Sequence, residues 1–200
     1  MYTNHANRAK HDIESSELRK KKRMKCLAYV AAFAVFQTAI ILIFVLTIMK
    51  VRTPKFRVRS ANLESSEVVT AANPSFNMSM TAQLGVKNAN FGNYKFQGST
   101  VDFLYGNTPV GQAVVPKTKA GWRSTKKLTV VVNLSSNALT AGNSQLENDI
   151  NAGFLTLNSQ STLNGKVELL FIFKKKKSIN MDCNLTIGLT DKTVREINCK

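Results

Sequence analysis

The chain has 200 residues and carries 28 Lys and Arg against 12 Asp and Glu, a formal charge of +16, which directs it toward anionic surfaces such as phospholipid headgroups, acidic polysaccharide or nucleic acid. Both histidines, His5 and His11, stand near the N-terminus, so the large C-terminal part lacks a Ser-His-Asp or Cys-His apparatus and any His-ligated metal. With three cysteines, no Gly-rich phosphate loop and only scattered carboxylates, the chain reads as a non-enzyme with no metal and no cofactor.

Residues 1–18 are polar, show no apolar periodicity and are expected to be disordered. With the basic cluster that follows they form a cytosolic tail over residues 1–25. From Cys26 to Met49 no side chain is charged. At 1.5 Å per residue a helix of that length covers about 36 Å, enough to cross a hydrocarbon core of about 30 Å with some tilt. The run exceeds a signal-peptide apolar region and ends in "TIMKVR", without a small-residue cleavage site, so it reads as a retained transmembrane helix over 26–49. A core helix would show a polar face, and this one has none. Six basic residues (Arg19 to Lys25) precede it and five (Lys50, Arg52, Lys55, Arg57, Arg59) follow. The denser cluster and the short tail place the N-terminus in the cytosol and the large part outside. Gln37, or the small residues Ala28 and Ala32, offer a surface for a second copy or another membrane protein. Cys26, beside the basic cluster, is a palmitoylation candidate, its alternative being a small apolar residue.

After a juxtamembrane segment at 50–60, period-two alternation dominates. "FNMSMTAQLGV" turns Phe76, Met78, Met80, Ala82, Leu84 and Val86 to one side. "LTVVVNLS" does the same with Leu128, Val130, Val132 and Leu134, and "INMDCNLTIGL" with Ile179, Met181, Cys183, Leu185, Ile187 and Leu189. "KVELLFIF" is nearly all apolar and suits a central strand covered on both faces. "FRVRS", "STVDFLY" and "GQAVVP" are shorter strands, the last two separated by the turn signal "GNTP". "NSQLENDINAG" breaks the alternation. Leu146 and Ile150 lie four apart after a capping Asn143 or Ser144, with Glu147 at the capping-box position relative to Ser144 and Gly153 beyond the end, predicting one short helix. Seven or eight strands and one short helix indicate an all-β fold, a β-sandwich, over residues 61–200.

Cys183 faces inward, and a bond to Cys199 would close a loop worth about 3 kcal/mol in the chain-entropy model. An even pair suits an oxidising compartment, whereas two free thiols would require a cytosolic domain. Three Asn-x-Ser/Thr triplets, at Asn77, Asn133 and Asn184, fall on the polar faces of their strands, where glycosylation is sterically permitted. A chain this rich in Asn, Ser and Thr would hold about as many by chance. Lys174, Lys175, Lys176 and Lys177 form the densest charge in the large part. They read either as a strand end guarded against edge pairing or as a contact for anionic lipid or cell-wall polysaccharide, reinforced by Arg123, Lys126 and Lys127 if the fold brings them near. Asp102 or Glu168 would be half of a glycosidase pair if a second carboxylate faced it.

The order of "ANPSFNMSM", "GNYKFQGSTVDFLYGNTPVGQAVVP", "WRSTKKLTVVVNL", "GKVELLFIF" and the final Cys183/Cys199 pair, behind a basic tail and a single anchor, resembles the plant late embryogenesis abundant group 2 (LEA-2) proteins, including the NDR1/HIN1-like membrane proteins. The likeness runs from about residue 19 to the end. The family's Asn-Pro-Asn stands here as Asn73-Pro74-Ser75, and its tyrosine-rich stretch as Asn93-Tyr94-Lys95. The resemblance implies a fibronectin-like or immunoglobulin-like sandwich anchored in the plasma membrane, with a role in stress or defence and no catalysis. Its partners are expected to be the bilayer itself, anionic lipid or wall polysaccharide, and other membrane proteins or a second copy, but not nucleic acid. The alternative function is a lipid-binding or lipid-docking sandwich.

Overall fold

The computed structural model describes residues 3–48, 50–69, 74–140, 142–169 and 173–200, with helix side chains described from Arg19. The chain divides into two units, Met1–Lys50 and Val51–Lys200.

The first unit is one helix, α1 (Thr3–Ile48), of which Arg19–Thr47 is long and apolar enough to cross a bilayer. Its two interior threonines are satisfied locally. The Thr38 hydroxyl donates to the Ala34 carbonyl at 2.8 Å and Thr47 to Ile43 at 2.7 Å, each back to the preceding turn of the helix. Residues 3–18, expected to be disordered, continue this helix. Absent apolar periodicity in a sequence does not by itself exclude a helix. Once nucleated, a helix extends at one hydrogen bond per residue, and Ala6, Ala9, Glu14, Glu17 and Leu18 are good helix formers.

Among the described residues the second unit is a two-sheet sandwich of ten strands, more than the seven or eight expected. In chain order these are β1 (Lys55–Val69), β2 (Ser75–Lys87), β3 (Gly92–Phe96), β4 (Ser99–Tyr105), β5 (Thr108–Val115), β6 (Thr118–Ala120) and β7 (Thr125–Ser135), then helix α2 (Ser144–Asn151), and β8 (Phe154–Leu169), β9 (Phe173–Gly188) and β10 (Thr193–Cys199). One sheet runs β1-β2-β7. The other runs β10-β9-β8-β3-β6, with β4 beside the first half of β8 and β5 beside β4. All pairings are antiparallel.

The alternating segments behave as their periodicity dictates. Phe76, Met78, Met80, Ala82, Leu84 and Val86 are buried, as are Ile179, Met181, Cys183, Leu185 and Ile187. The first set, on β2, meets the second, on β9, together with Tyr94, Phe96, Phe103, Leu155, Leu157 and Leu163 of the second sheet in one core. Each such large side chain contributes about 1.5–3 kcal/mol on leaving water. The sheets approach at both edges. A methyl group on Gly111 of β5 would lie 2.5 Å from the Asn133 carbonyl of β7, and the Cys199 sulfur lies 3.7 Å from the Val58 carbonyl of β1.

Three expectations change. The sandwich starts at Lys55, inside the segment assigned to the juxtamembrane linker, because Phe56 and Val58 are core residues. β1 also continues well past "FRVRS". Register shifts between Val58 and Ser60 and between Leu63 and Ser65 each insert a residue. The inward set therefore passes from Phe56 and Val58 to Ala61 and Leu63, hiding the strand from a period-two reading. "KVELLFIF" is not one central strand. β8 ends at Leu169, β9 begins at Phe173 paired with it, and residues 170–172 lie outside the described residues. An apolar run cannot by itself distinguish a strand from a hairpin. The first part of β8 escaped notice because its inward positions include two serines, Ser159 and Ser161, which donate to the Cys183 and Thr100 carbonyls.

At α2 the cap is Asn143, whose side chain accepts from the Gln145 and Leu146 amides at 3.1 and 3.2 Å. Leu146 and Ile150 are buried, and Gly153 takes φ +79, a left-handed position that glycine fills without strain.

Candidate anion-binding face

Four lysines stand in one row across the outer face of the larger sheet. Lys119 of β6 pairs with Lys95 of β3, Lys95 with Lys166 of β8, and Lys166 with Lys176 of β9. Lys95 lies between the buried Tyr94 and Phe96, and Lys166 precedes the buried Val167, so both point away from the core. Neighbouring strands are about 4.8 Å apart, which makes the row about 14 Å long. A second row on the same face carries Gln97, Asn164 and Ser178, with Lys117 preceding β6. Together they line a shallow cavity of about 850 Å³ holding six lysines and one carboxylate, Glu168.

Glu168 accepts from the Lys95 ammonium at 2.7 Å. That bond holds its carboxyl below the usual range against partial desolvation, with further attraction from Lys95, Lys174 and Lys166. The strands under the row are pinned from below by Tyr94, whose hydroxyl donates to the Leu163 carbonyl at 3.1 Å and the Lys177 carbonyl at 3.0 Å. Its ring reaches them because Gly165 has no side chain. A methyl group there would lie 2.7 Å from the ring and 2.6 Å from the Lys95 carbonyl. Burial pushes the Tyr94 hydroxyl up to about 12.

Of the four consecutive lysines, Lys176 joins the row, Lys174 lies one pair along beside Glu168, and Lys177 lines the cavity; Lys175 pairs with Val167, on the opposite face by alternation. Arg123, Lys126 and Lys127 do not join them. Lys126 and Lys127 pair with Val86 and Gly85 in the other sheet, and Arg123 lies over the Phe91 ring at 5.0 Å. Their place is taken by Lys95, Lys117, Lys119 and Lys166, which single-sequence reasoning missed. Only strand register brings those four together, and the one local hint is the alternate spacing of Lys117 and Lys119.

Asp102 and Glu168 do not form a carboxylate pair. Asp102 faces Gln160 of β8, eight residues from Glu168, or about 26 Å along the strand, whereas glycosidase carboxylates stand about 5–9.5 Å apart. Nor, among the described residues, do the sheets part into an open groove for an acyl chain. Met80, Leu84, Phe103, Leu155 and Leu185 between them are fully buried.

Cys183 and Cys199 are directly paired on β9 and β10 and are bonded to each other. Cys26 carries a free, exposed thiol. Asn77, Asn133 and Asn184 are all exposed, and Asn184 accepts from Asn158 at 2.9 Å. Asn73 lies outside the described residues. The asparagines of that spacing that organise structure are Asn88 and Asn90. Both are buried. The Asn88 amide donates to the Gly92, Ala120 and Gly121 carbonyls at 2.7, 3.2 and 2.8 Å. Asn90 bonds both the amide and the carbonyl of Arg52, at 2.6 and 2.8 Å.

No family model matches the chain. A late embryogenesis abundant protein of Arabidopsis thaliana is 27% identical to it over 179 residues, 88% of this chain and 83% of that protein. Among solved structures, an Arabidopsis thaliana protein aligns with a TM-score of 0.36 at 12% identity, over 67% of this chain and 82% of that one. A late embryogenesis abundant protein aligns with a TM-score of 0.29 at 11% identity, over 82% and 88%. In sequence the chain is similar to that late embryogenesis abundant protein over most of both lengths, in line with the order of its motifs.

Proposed function

We propose that this relative of the late embryogenesis abundant proteins is a single-pass plasma-membrane protein of the LEA-2 type. Its basic sandwich faces the cell exterior and works without catalysis as an interaction module in stress and defence responses. The name of the Arabidopsis relative supports the stress-related part, and the apolar helix supports the anchor. The observation that carries the reading is the Cys183–Cys199 bridge. Cys183 is wholly buried in the core, so the bond belongs to the folded interior, and such bonds persist in oxidising compartments. The row of lysines suits an anionic partner.

The test is alkylation of intact cells with a mass-tagging maleimide, paired with external protease. Cys183 and Cys199 should resist tagging until a reductant is added, the sandwich should be digested from outside, and an N-terminal tag should survive. Carbonate extraction should leave the full-length chain in the membrane pellet. Thiols that tag without reduction, or a sandwich protected from protease, would reverse the topology.

A further inference from the structure

We infer that the row Lys119–Lys95–Lys166–Lys176 binds a linear acidic polysaccharide with one carboxylate on each sugar. The inference rests on the proposed exterior placement only for where the polymer is met; the binding itself does not depend on it.

The row contains three direct like-charge juxtapositions, each of which weakens a sheet. One ion pair, Lys95 with Glu168, offsets them. Guarding a sheet edge explains lysines on β6 and on the part of β9 beyond β10. It does not explain Lys95 and Lys166, because β3 and β8 are paired on both sides. A face made only for solubility would mix both signs. Positive charge repeated at one strand spacing across four strands, against the sheet's own stability, matches a ligand with negative charge at a similar repeat.

The neighbouring row narrows the ligand class. Gln97, Asn164 and Ser178 run parallel to the lysines and offer neutral donors and acceptors. A polyuronate lying across the strands would set carboxylates against one row and hydroxyls against the other. About four sugars fill the length of the row, since a pyranose is about as long as one strand spacing. Lysine presents point charges rather than the bidentate forks typical of phosphate clamps. Among the described residues the exposed aromatics of the sandwich, Trp122, Phe154 and Phe173, do not line this face, and Phe96, which does, keeps its side chain buried in the core. Among the described residues it thus presents neither the stacking platforms single-stranded nucleic acid requires nor the aromatic side chains that settle at a bilayer surface.

The test uses the full chain in phosphatidylcholine nanodiscs, with de-esterified oligogalacturonate as probe. Wild type should bind it, bind more weakly as salt is raised, and not bind the fully methyl-esterified oligomer. The double substitution Lys95→Gln with Lys166→Gln should weaken binding at least tenfold, while Lys126→Gln with Lys127→Gln stays within twofold. Removing repulsion should leave the Tm of the first variant no lower than wild type, which separates lost binding from lost fold. Equal losses in both variants, equal binding of the esterified oligomer, or tighter binding of polyphosphate, single-stranded DNA or phosphatidylserine nanodiscs would overturn the assignment. If the oligomer binds as expected but the cysteines prove reduced in cells, the exterior placement fails and the site stands.

Discussion

Replacing Lys166 by Gln should stabilise the sandwich, an unusual direction for a substitution in a central strand. Lys166 stands directly opposite Lys95 on one side and Lys176 on the other. Two unit charges about 5 Å apart in bulk water repel by about 0.8 kcal/mol, and directly opposed like charges in sheets cost roughly 0.2–1 kcal/mol per pair. Two such pairs are relieved, although the attraction of Lys166 for Glu168 is lost, and exposed charges are screened. The lower half of the range, about 0.5–1 kcal/mol in total, is therefore expected. At about 2–4 °C per kcal/mol for a domain of 150–250 residues, Tm should rise by about 1–4 °C. Thermal unfolding of the full chain in 20 mM and 1 M NaCl measures it. At 1 M the screening length is about 3 Å and the difference should vanish. Lys126→Gln, whose partner in β2 is Val86, should shift Tm little at either salt. A lower Tm for Lys166→Gln, or a rise of equal size in 1 M salt, would refute the claim that repulsion is stored in the row.

Gly165→Ala should destabilise by about 2–3 kcal/mol, since the new methyl group meets the Tyr94 ring and the Lys95 carbonyl; urea midpoints should show the loss and show that it does not add to that of Tyr94→Phe. Raising the Tyr94 pKa from 10.0 to about 12 means that the unfolded chain releases this proton first. Its contribution is complete below pH 10 and disappears as pH climbs toward 12, a decline that Tyr94→Phe should flatten in urea titrations at graded alkaline pH. Asn88→Ala removes a buried amide bonded to three carbonyls and should cost about 2–4 kcal/mol in denaturant unfolding; a loss under 1 kcal/mol would contradict the network's role. Cys199→Ser should cost about 3 kcal/mol for a loop of this size, and wild type in reductant should match it in thermal unfolding.

Much of the architecture was legible along the chain. Period two at Phe76–Val86, Leu128–Leu134 and Ile179–Leu189 marked strands with one buried face, and the spacing of Leu146 and Ile150 marked the single short helix. Failures occurred where the period was interrupted for a structural reason. The bulges of β1 displace its inward set, the buried serines of β8 imitate polar outward positions, and the β8–β9 hairpin reads as a single apolar run. Residues 3–18 show the converse, since a segment without apolar periodicity is helical.

By itself the sequence determined the chain's gross division, into a charge-free run of bilayer length and a basic, histidine-free, strand-built part with two cysteines. These are properties of composition and of near neighbours, and burial of apolar surface follows from them wherever the chain goes. Only the tertiary structure decided that Cys183 stands opposite Cys199, that Asn90 holds Arg52, and that Lys95, Lys119, Lys166 and Lys176 share a row without Arg123, Lys126 and Lys127. The cysteine and lysine pairings are matters of register between strands, and the Asn90–Arg52 contact joins two segments outside the strands. A shift of one residue would send each lysine to the other face, and no local pattern records which residue of one strand meets which of the next.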